Sequence, residues 1–140
     1  MILLDTDHLT VVRFRSGERC ARLMARMEAA SGDFGTTIVN VEEQMKGWLA
    51  SVNRERQVVR QVPAYRELAR LFEFFSEYVI APFDVAAANR FDDMRAAKIR
   101  IGTSDLKIAA VALICDALLL TANRQDFERV PGLRFANWLD

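Results

Sequence analysis

Apolar residues in this chain follow two rhythms. Short apolar runs that stop at a polar or breaking residue alternate with longer stretches in which apolar positions recur every three or four residues. Met1 to Leu4 is the first short run and ends at Asp5; Thr6 or Asp7 is placed to cap a following helix. Glu18 to Ala30 reads as a second helix, with Cys20, Leu23, Met24 and Met27 at helical spacing, and Ser31-Gly32-Asp33 breaks it. Thr36 to Val39 is β-branched and reads as a strand. Val41 to Val52 is helical, with Val41, Met45, Trp48 and Leu49 on one face. After the polar, Arg-rich stretch Asn53 to Gln61, Pro63 fits the first turn of a helix reaching about Tyr78. Val79 to Ala81 is a short strand ended by Pro82, and Asp84 caps a helix to about Arg100. Ile101-Gly102-Thr103 is a loop, and Thr103 or Ser104 caps a helix from Asp105 to Cys115. Ala117 to Leu120 is a buried strand, Gln125 to Arg129 a turn or short helix, and Leu133 to Phe135 a last strand.

Short strands separated by helices predict an α/β fold: three layers, α/β/α, around a mostly parallel central sheet of four or five strands. No repeat, low-complexity segment or linker interrupts the pattern, so residues 1–140 read as a single domain. Half the chain is apolar (51%), and a domain of this size buries roughly 68–70% of its unfolded surface, so no disulfide is needed. Cys20 and Cys115 sit in apolar helical patterns without metal-type spacing, which predicts reduced core thiols and a cytoplasmic setting. Asp5 and Asp7 interrupt the apolar start, unlike a signal peptide, and Asp116 interrupts the longest apolar run, Ala109 to Leu120, so no membrane span is expected.

Charge narrows the functions. Nineteen basic residues balance nineteen acidic ones, which argues against a general nucleic-acid binder of the basic type. A nuclease stays open, because a carboxylate cluster offsets local basic patches in the total. In an open α/β sheet, functional groups collect at the carboxyl ends of the strands. Acids stand there: Asp5 after the first strand, Glu42 and Glu43 past the second, Asp105 at a helix start before the fourth, and Asn123 with Asp126 after the fourth. Packed carboxylates repel unless cations neutralise them, and hard oxygen donors suit Mg²⁺ or Mn²⁺. His8 is the single histidine, so a conventional zinc site is not expected.

Four segments carry a resemblance. Met1 to Leu9 (MILLDTDHL), Glu43 four residues before Gly47, Asp105 to Ala110 in the pattern D-x-x-I-A-A, and Leu120 to Phe127 followed by Pro131-Gly132-Leu133 and Trp138 resemble the motifs of the PIN-domain family, in its order and spacing. Within that family the chain is most similar to the VapC-type toxins of bacterial toxin–antitoxin pairs. The resemblance implies a ribonuclease hydrolysing RNA phosphodiester bonds to a 5′-phosphate and a 3′-hydroxyl. It implies one or two Mg²⁺ or Mn²⁺ ions held by Asp5, Glu43, Asp105 and Asp126, a VapB-like antitoxin as partner, and a homodimer. Metal-bound water has a lowered pKa and supplies a nucleophile near neutral pH.

Several assignments stay open at the level of sequence. Glu42 is the alternative to Glu43, which shares a helix side with the small residues Gly47 and Ala50, a side able to approach another backbone closely. Asn123 is the alternative to Asp126, as a ligand orienter or a carbonyl donor. Thr6 and Ser104 are candidates to hydrogen-bond the carboxylates or simply to cap helices. Asp7 either tunes the site or caps, and His8 reads as a surface or satisfied residue rather than a base. Arg124 and Lys107 are placed to meet phosphates. Arg54, Arg56, Arg60, Arg66 and Arg70 form a basic run that is a solvated face or an RNA- or antitoxin-facing surface. Phe72, Phe74, Phe75 and Tyr78 exceed what one buried stripe needs, which suggests a dimer or partner groove. The competing function is a non-catalytic PIN-like module that binds protein or nucleic acid. A metal-dependent phosphatase or a phosphorylatable receiver shares the acidic sheet edge but fits the spacings poorly.

Overall fold

A computed structural model describes residues 1–140. Its strands are β1 (Ile2–Leu4), β2 (Phe34–Thr37), β3 (Val79–Ala81), β4 (Leu118–Leu120) and β5 (Arg134–Ala136). They form one sheet in the order β3-β2-β1-β4-β5, and every neighbouring pair is parallel. The helices are α1 (Thr6–Phe14), α2 (Gly17–Ala29), α3 (Ile38–Arg54), α4 (Val58–Phe75), α5 (Val85–Ala96), α6 (Thr103–Ile114) and the single turn α7 (Arg124–Phe127).

The strands are short because only a few residues of each face two layers. Successive side chains of a strand point to opposite faces. Leu3 and Leu119 join one core cluster with Phe91, Ile108 and Phe127 from α5, α6 and α7. Ile2, Leu4 and Leu120 join the other, with Leu9, Leu23, Leu71 and Phe75 from α1, α2 and α4. Two cores on two faces give the three layers expected from the alternation of elements.

Several boundaries differ from the expectation. Asp5, rather than Thr6 or Asp7, is the N-cap of α1: its carboxylate accepts from the Thr6 N–H. β2 ends at Thr37, because the Thr37 hydroxyl accepts from the Asn40 N–H and starts α3 at Ile38. α3 runs on to Arg54, so only three residues, 55–57, join it to α4. Pro63 lies inside α4, not in its first turn. The carbonyl that loses a partner is that of Val59, which is 82% exposed and open to water. α5 stops at Ala96, before Arg100, and α6 starts at Thr103 behind Gly102, with no side-chain cap from Thr103 or Ser104. Both cysteines are free thiols, Cys20 buried and Cys115 partly so. No helix is long and apolar enough to cross a membrane.

Candidate metal centre

Strand order reverses direction around β1: the chain moves outward through β2 and β3, then returns to β4 on the other side. Such a switch point leaves a crevice at the carboxyl ends of the two central strands. Asp5 follows β1 at this point, and Thr121 follows β4. The Asp5 N–H donates to the Leu120 carbonyl, which fixes the acid at the mouth of the crevice.

Asp5 is almost fully buried and fully partnered. Its Oδ1 accepts from the Thr6 N–H and from Asn40 Nδ2, each at 2.8 Å, and its Oδ2 accepts from the Thr121 hydroxyl at 2.8 Å. Burial, followed by the neighbouring charge of Asp7, raises its pKa, and the three hydrogen bonds hold the rise back. Asn40 is fixed in turn, because Thr37 Oγ1 donates to its Oδ1. Neither Asn40 nor Thr121 stood out in the sequence. Each is nevertheless inaccessible to solvent, and their position at the end of a strand or in the first turn after it was the one available clue.

Glu43 sits one helical turn past Asn40. Its Oε1 accepts from the Thr6 hydroxyl at 3.2 Å, and the same hydroxyl accepts from Asn40 Nδ2 at 3.1 Å. Burial and the charges of Asp5 and Glu42 raise the Glu43 pKa. Glu42 turns away and pairs with Lys46 at 3.4 Å on the exposed side of α3. Gly47 does not pack against another backbone; a Cβ there would meet open space, and the residue lines a shallow cleft with Glu43 and Trp48.

Asp105 enters from the first turn of α6, and Asp126 from α7. Asn123 Nδ2 lies 3.3 Å from Asp105 Oδ2 and 3.1 Å from Asp126 Oδ2, so one amide bridges both carboxylates. The Asn123 carbonyl oxygen faces the Asp126 N–H as the cap of α7 and is not directed at the acids. The Asp105 pKa is pushed up to about 6, first by burial and then by the charges of Asp5, Glu43, Asp126 and Asp7. Ser104 lies in the uncapped first turn of α6, and the hydrogen bonds that hold the carboxylates come from Thr6, Asn40, Thr121 and Asn123 instead.

Asp7 and His8 form a second, structural pair beside the centre. The His8 ring is inaccessible to solvent; its Nε2 accepts from the Trp138 N–H at 3.1 Å, so its Nδ1–H donates to Asp7 Oδ1. Burial alone would raise the Asp7 pKa. Hydrogen bonds from the His8 ring and the Ala122 and His8 N–H groups outweigh it and lower the value. Of the proposed phosphate contacts, Lys107 stacks its ammonium over Phe83 and Arg124 pairs with Glu128.

Asp5, Glu43, Asp105 and Asp126 are therefore brought to one crevice by four different elements. Burial and the charges of the other three raise the Asp105 pKa. No three His, Cys, Asp or Glu side chains converge tightly enough to form a ready-made coordination shell.

The chain has relatives in both sequence and fold. The chain is 35% identical over 77 residues to the tRNA(fMet)-specific endonuclease VapC of Shigella flexneri, spanning 52% of this chain and 58% of that protein. It is 26% identical over 141 residues to ribonuclease VapC2 of Haemophilus influenzae, spanning 98% and 97% of the two chains. Its fold matches a chain in the structure of VapBC-1 from nontypeable Haemophilus influenzae, with a TM-score of 0.75 and 20% identity over the whole of both chains. No family model matches the chain. The chain is thus similar in sequence to VapC ribonucleases and shares the fold of a chain in a VapBC structure.

Proposed function

We propose that this chain is a metal-dependent endoribonuclease, the toxin of a toxin–antitoxin pair. The observation that carries the reading is the convergence of Asp5, Glu43, Asp105 and Asp126 on one crevice, where burial and neighbouring negative charge lift the Asp105 pKa to about 6. The names of the relatives support the same activity class. Asp5, Glu43, Asp105 and Asp126 would hold Mg²⁺ or Mn²⁺. When bound, such an ion supplies a nucleophilic hydroxide from water and offsets charge on the phosphate. The chain's own residues do the rest. Asn40, Thr6 and Thr121 fix the rotamers of Asp5 and Glu43, and the bridging amide of Asn123 holds Asp105 and Asp126 in register across the crevice.

A VapB-like antitoxin is the proposed partner, and an apolar groove between α3 and α4 offers it a surface. The groove is lined by Val41, Met45, Leu71, Phe72 and Phe75, with Phe72 67% exposed. Phe72 and Phe75 thus line a groove suited to an apolar helix face, whereas Phe74 and Tyr78 pack against the core. A second copy of the chain is proposed to pair with it in the same assembly. Free thiols at Cys20 and Cys115 fit a cytoplasmic setting.

The test is cleavage of bulk RNA and of purified tRNA by the full chain, with Mg²⁺ or Mn²⁺ and with excess chelator. Cleavage that needs the ion and is lost in Asp5→Asn and in Asp105→Asn supports the reading. Cleavage that survives chelation, or that persists in both variants, overturns it. RNA binding without cleavage at any metal concentration would favour the non-catalytic module.

A further inference from the structure

Beside the acid centre, the α5–α6 junction encloses a cleft of about 620 Å³ whose lining includes Arg95, Lys98, Arg100, Gly102, Thr103 and Asp126. Asp126 is shared between this cleft and the acid centre, because Asn123 ties it to Asp105. One acid of the centre therefore lines the cleft. Three cations face it, and none of the three takes part in an ion pair of the molecule. Arg95 is steadied over the Phe91 ring, 5.1 Å from its centroid. Arg129 Nη1 donates to the Arg100 carbonyl at 3.0 Å, which pins the loop and brings a third guanidinium, and a fourth cation, to it.

Lys98 lines the cleft from the end of α5. Its backbone is left-handed, with φ of 62°. Its N–H donates to the Arg95 carbonyl and that of Ile99 to the Met94 carbonyl, so it occupies the helix-ending position that glycine usually takes. Arg15 and Asp116 are left-handed too, so the conformation assigns Lys98 no role by itself; its place in the cleft does.

A chain with no net charge thus concentrates unpaired cations in one cleft next to its densest carboxylates. Those carboxylates repel a polyanion at short range, so an RNA strand crossing them needs a cationic anchor on one side. Guanidinium groups match phosphate oxygens in a fork, and a lysine adds a point charge. The geometry points to this cleft as the subsite that grips a backbone phosphate of the nucleotide flanking the cleaved bond, with Arg95, Lys98 and Arg100 setting how the strand lies across Asp105. The inference rests on the nuclease reading above.

The test measures binding of a 5′-fluorescein-labelled oligouridylate to the full chain in excess chelator, across a salt series. The chains compared are the wild type, Arg95→Gln, Lys98→Gly, Arg100→Gln, the combination of all three, and Arg134→Gln at the far end of the sheet as control. The expected result is a roughly tenfold weaker complex for the combination and a salt slope shallower by ~0.7 for each phosphate no longer neutralised, with the control unchanged. Lys98→Gly should bind RNA more weakly while melting at a higher temperature, a pairing that a purely structural role would not produce. Unchanged affinity and slope, or no RNA binding by the wild type, would each overturn the subsite. Metal-dependent cleavage by a wild type whose variants bind and cleave normally would sink the subsite alone. Weakened RNA binding in the variants of a chain that never cleaves would sink the nuclease and reduce the subsite to a phosphate-binding cleft with no cleaved bond beside it.

Discussion

Asn40 Nδ2 donates to Asp5 Oδ1 at 2.8 Å, from the first turn of α3 to the end of β1, and both residues are buried. This bond sets the rotamer of the central acid. Asn40→Ala should lower cleavage by about 10–100-fold, the usual effect of removing a group that orients a ligand. It should also cost about 1–3 kcal/mol of stability, because the partners at Asp5 and Thr37 lose a buried hydrogen bond. Steady-state kinetics and urea unfolding of the same variant separate the two effects. Activity within twofold of wild type would mean that Thr6 and Thr121 suffice to hold Asp5.

The raised pKa of Asp105 has a sign that stability measurements can read. Its folded value of about 6 lies above the ordinary 3.8, so between those values the folded chain holds a proton that the unfolded chain has lost. Stability of the metal-free protein therefore falls as pH rises through that window and stays reduced above it. Asp105→Asn should stabilise the metal-free protein at pH 7 by about 1–2 kcal/mol after allowance for solvent screening, and by little at pH 4. Calorimetric melting at both pH values checks this, and a destabilised variant at pH 7 would contradict it.

Adding Mn²⁺ or Mg²⁺ should reverse the same strain. The melting temperature of the wild type should rise with metal concentration near neutral pH and respond weakly near pH 4, where protonated carboxyls no longer bind the ion. Asp105→Asn should lose most of the response. An equal response in the wild type and the variant would remove Asp105 from the set of proposed ligands.

His8 ties the start of the chain to its end through the Trp138 N–H at 3.1 Å, and Trp138 meets Phe34 edge to face at 6.5 Å between ring centroids. His8→Ala should destabilise the fold by about 2–4 kcal/mol through a cavity and an unpaired amide. Amide hydrogen exchange should show Trp138 losing protection ahead of the central strands. Global loss without this early local signal would place the effect elsewhere.

Gly35 faces β3 so closely that an added Cβ would lie 2.5 Å from the Val79 carbonyl oxygen. Gly35→Ala must push β3 outward and should cost about 1–3 kcal/mol or more. A thermal shift within error of wild type would show that the edge strand yields freely.

Much of the fold was legible from local rules. Alternating apolar runs and helical stripes gave each major element and the layered α/β class, since side chains on short strands must face two cores. Errors fell at junctions such as Thr37/Ile38 and around Pro63. There, one side-chain cap or one solvent-exposed carbonyl decides whether the helix continues, and hydrophobic spacing does not record either. Asp5 and Asp105 were legible as acids at element ends, where the chain has few reasons other than capping to place a charge. Glu43 and Glu42 were adjacent equals until tertiary structure put Thr6 beside one and Lys46 beside the other.

The sequence by itself determined the elements, the layered α/β class and the presence of carboxylates at strand ends, because these follow from periodicity and capping within a few residues. The tertiary structure decided which carboxylates meet, that Asn40, Thr121 and Asn123 hold them, and that the cations of Arg95 to Arg100 adjoin them. Those relations join positions up to 116 residues apart, as between Thr121 and Asp5. They depend on the strand order that places β4 beside β1, which no local pattern encodes.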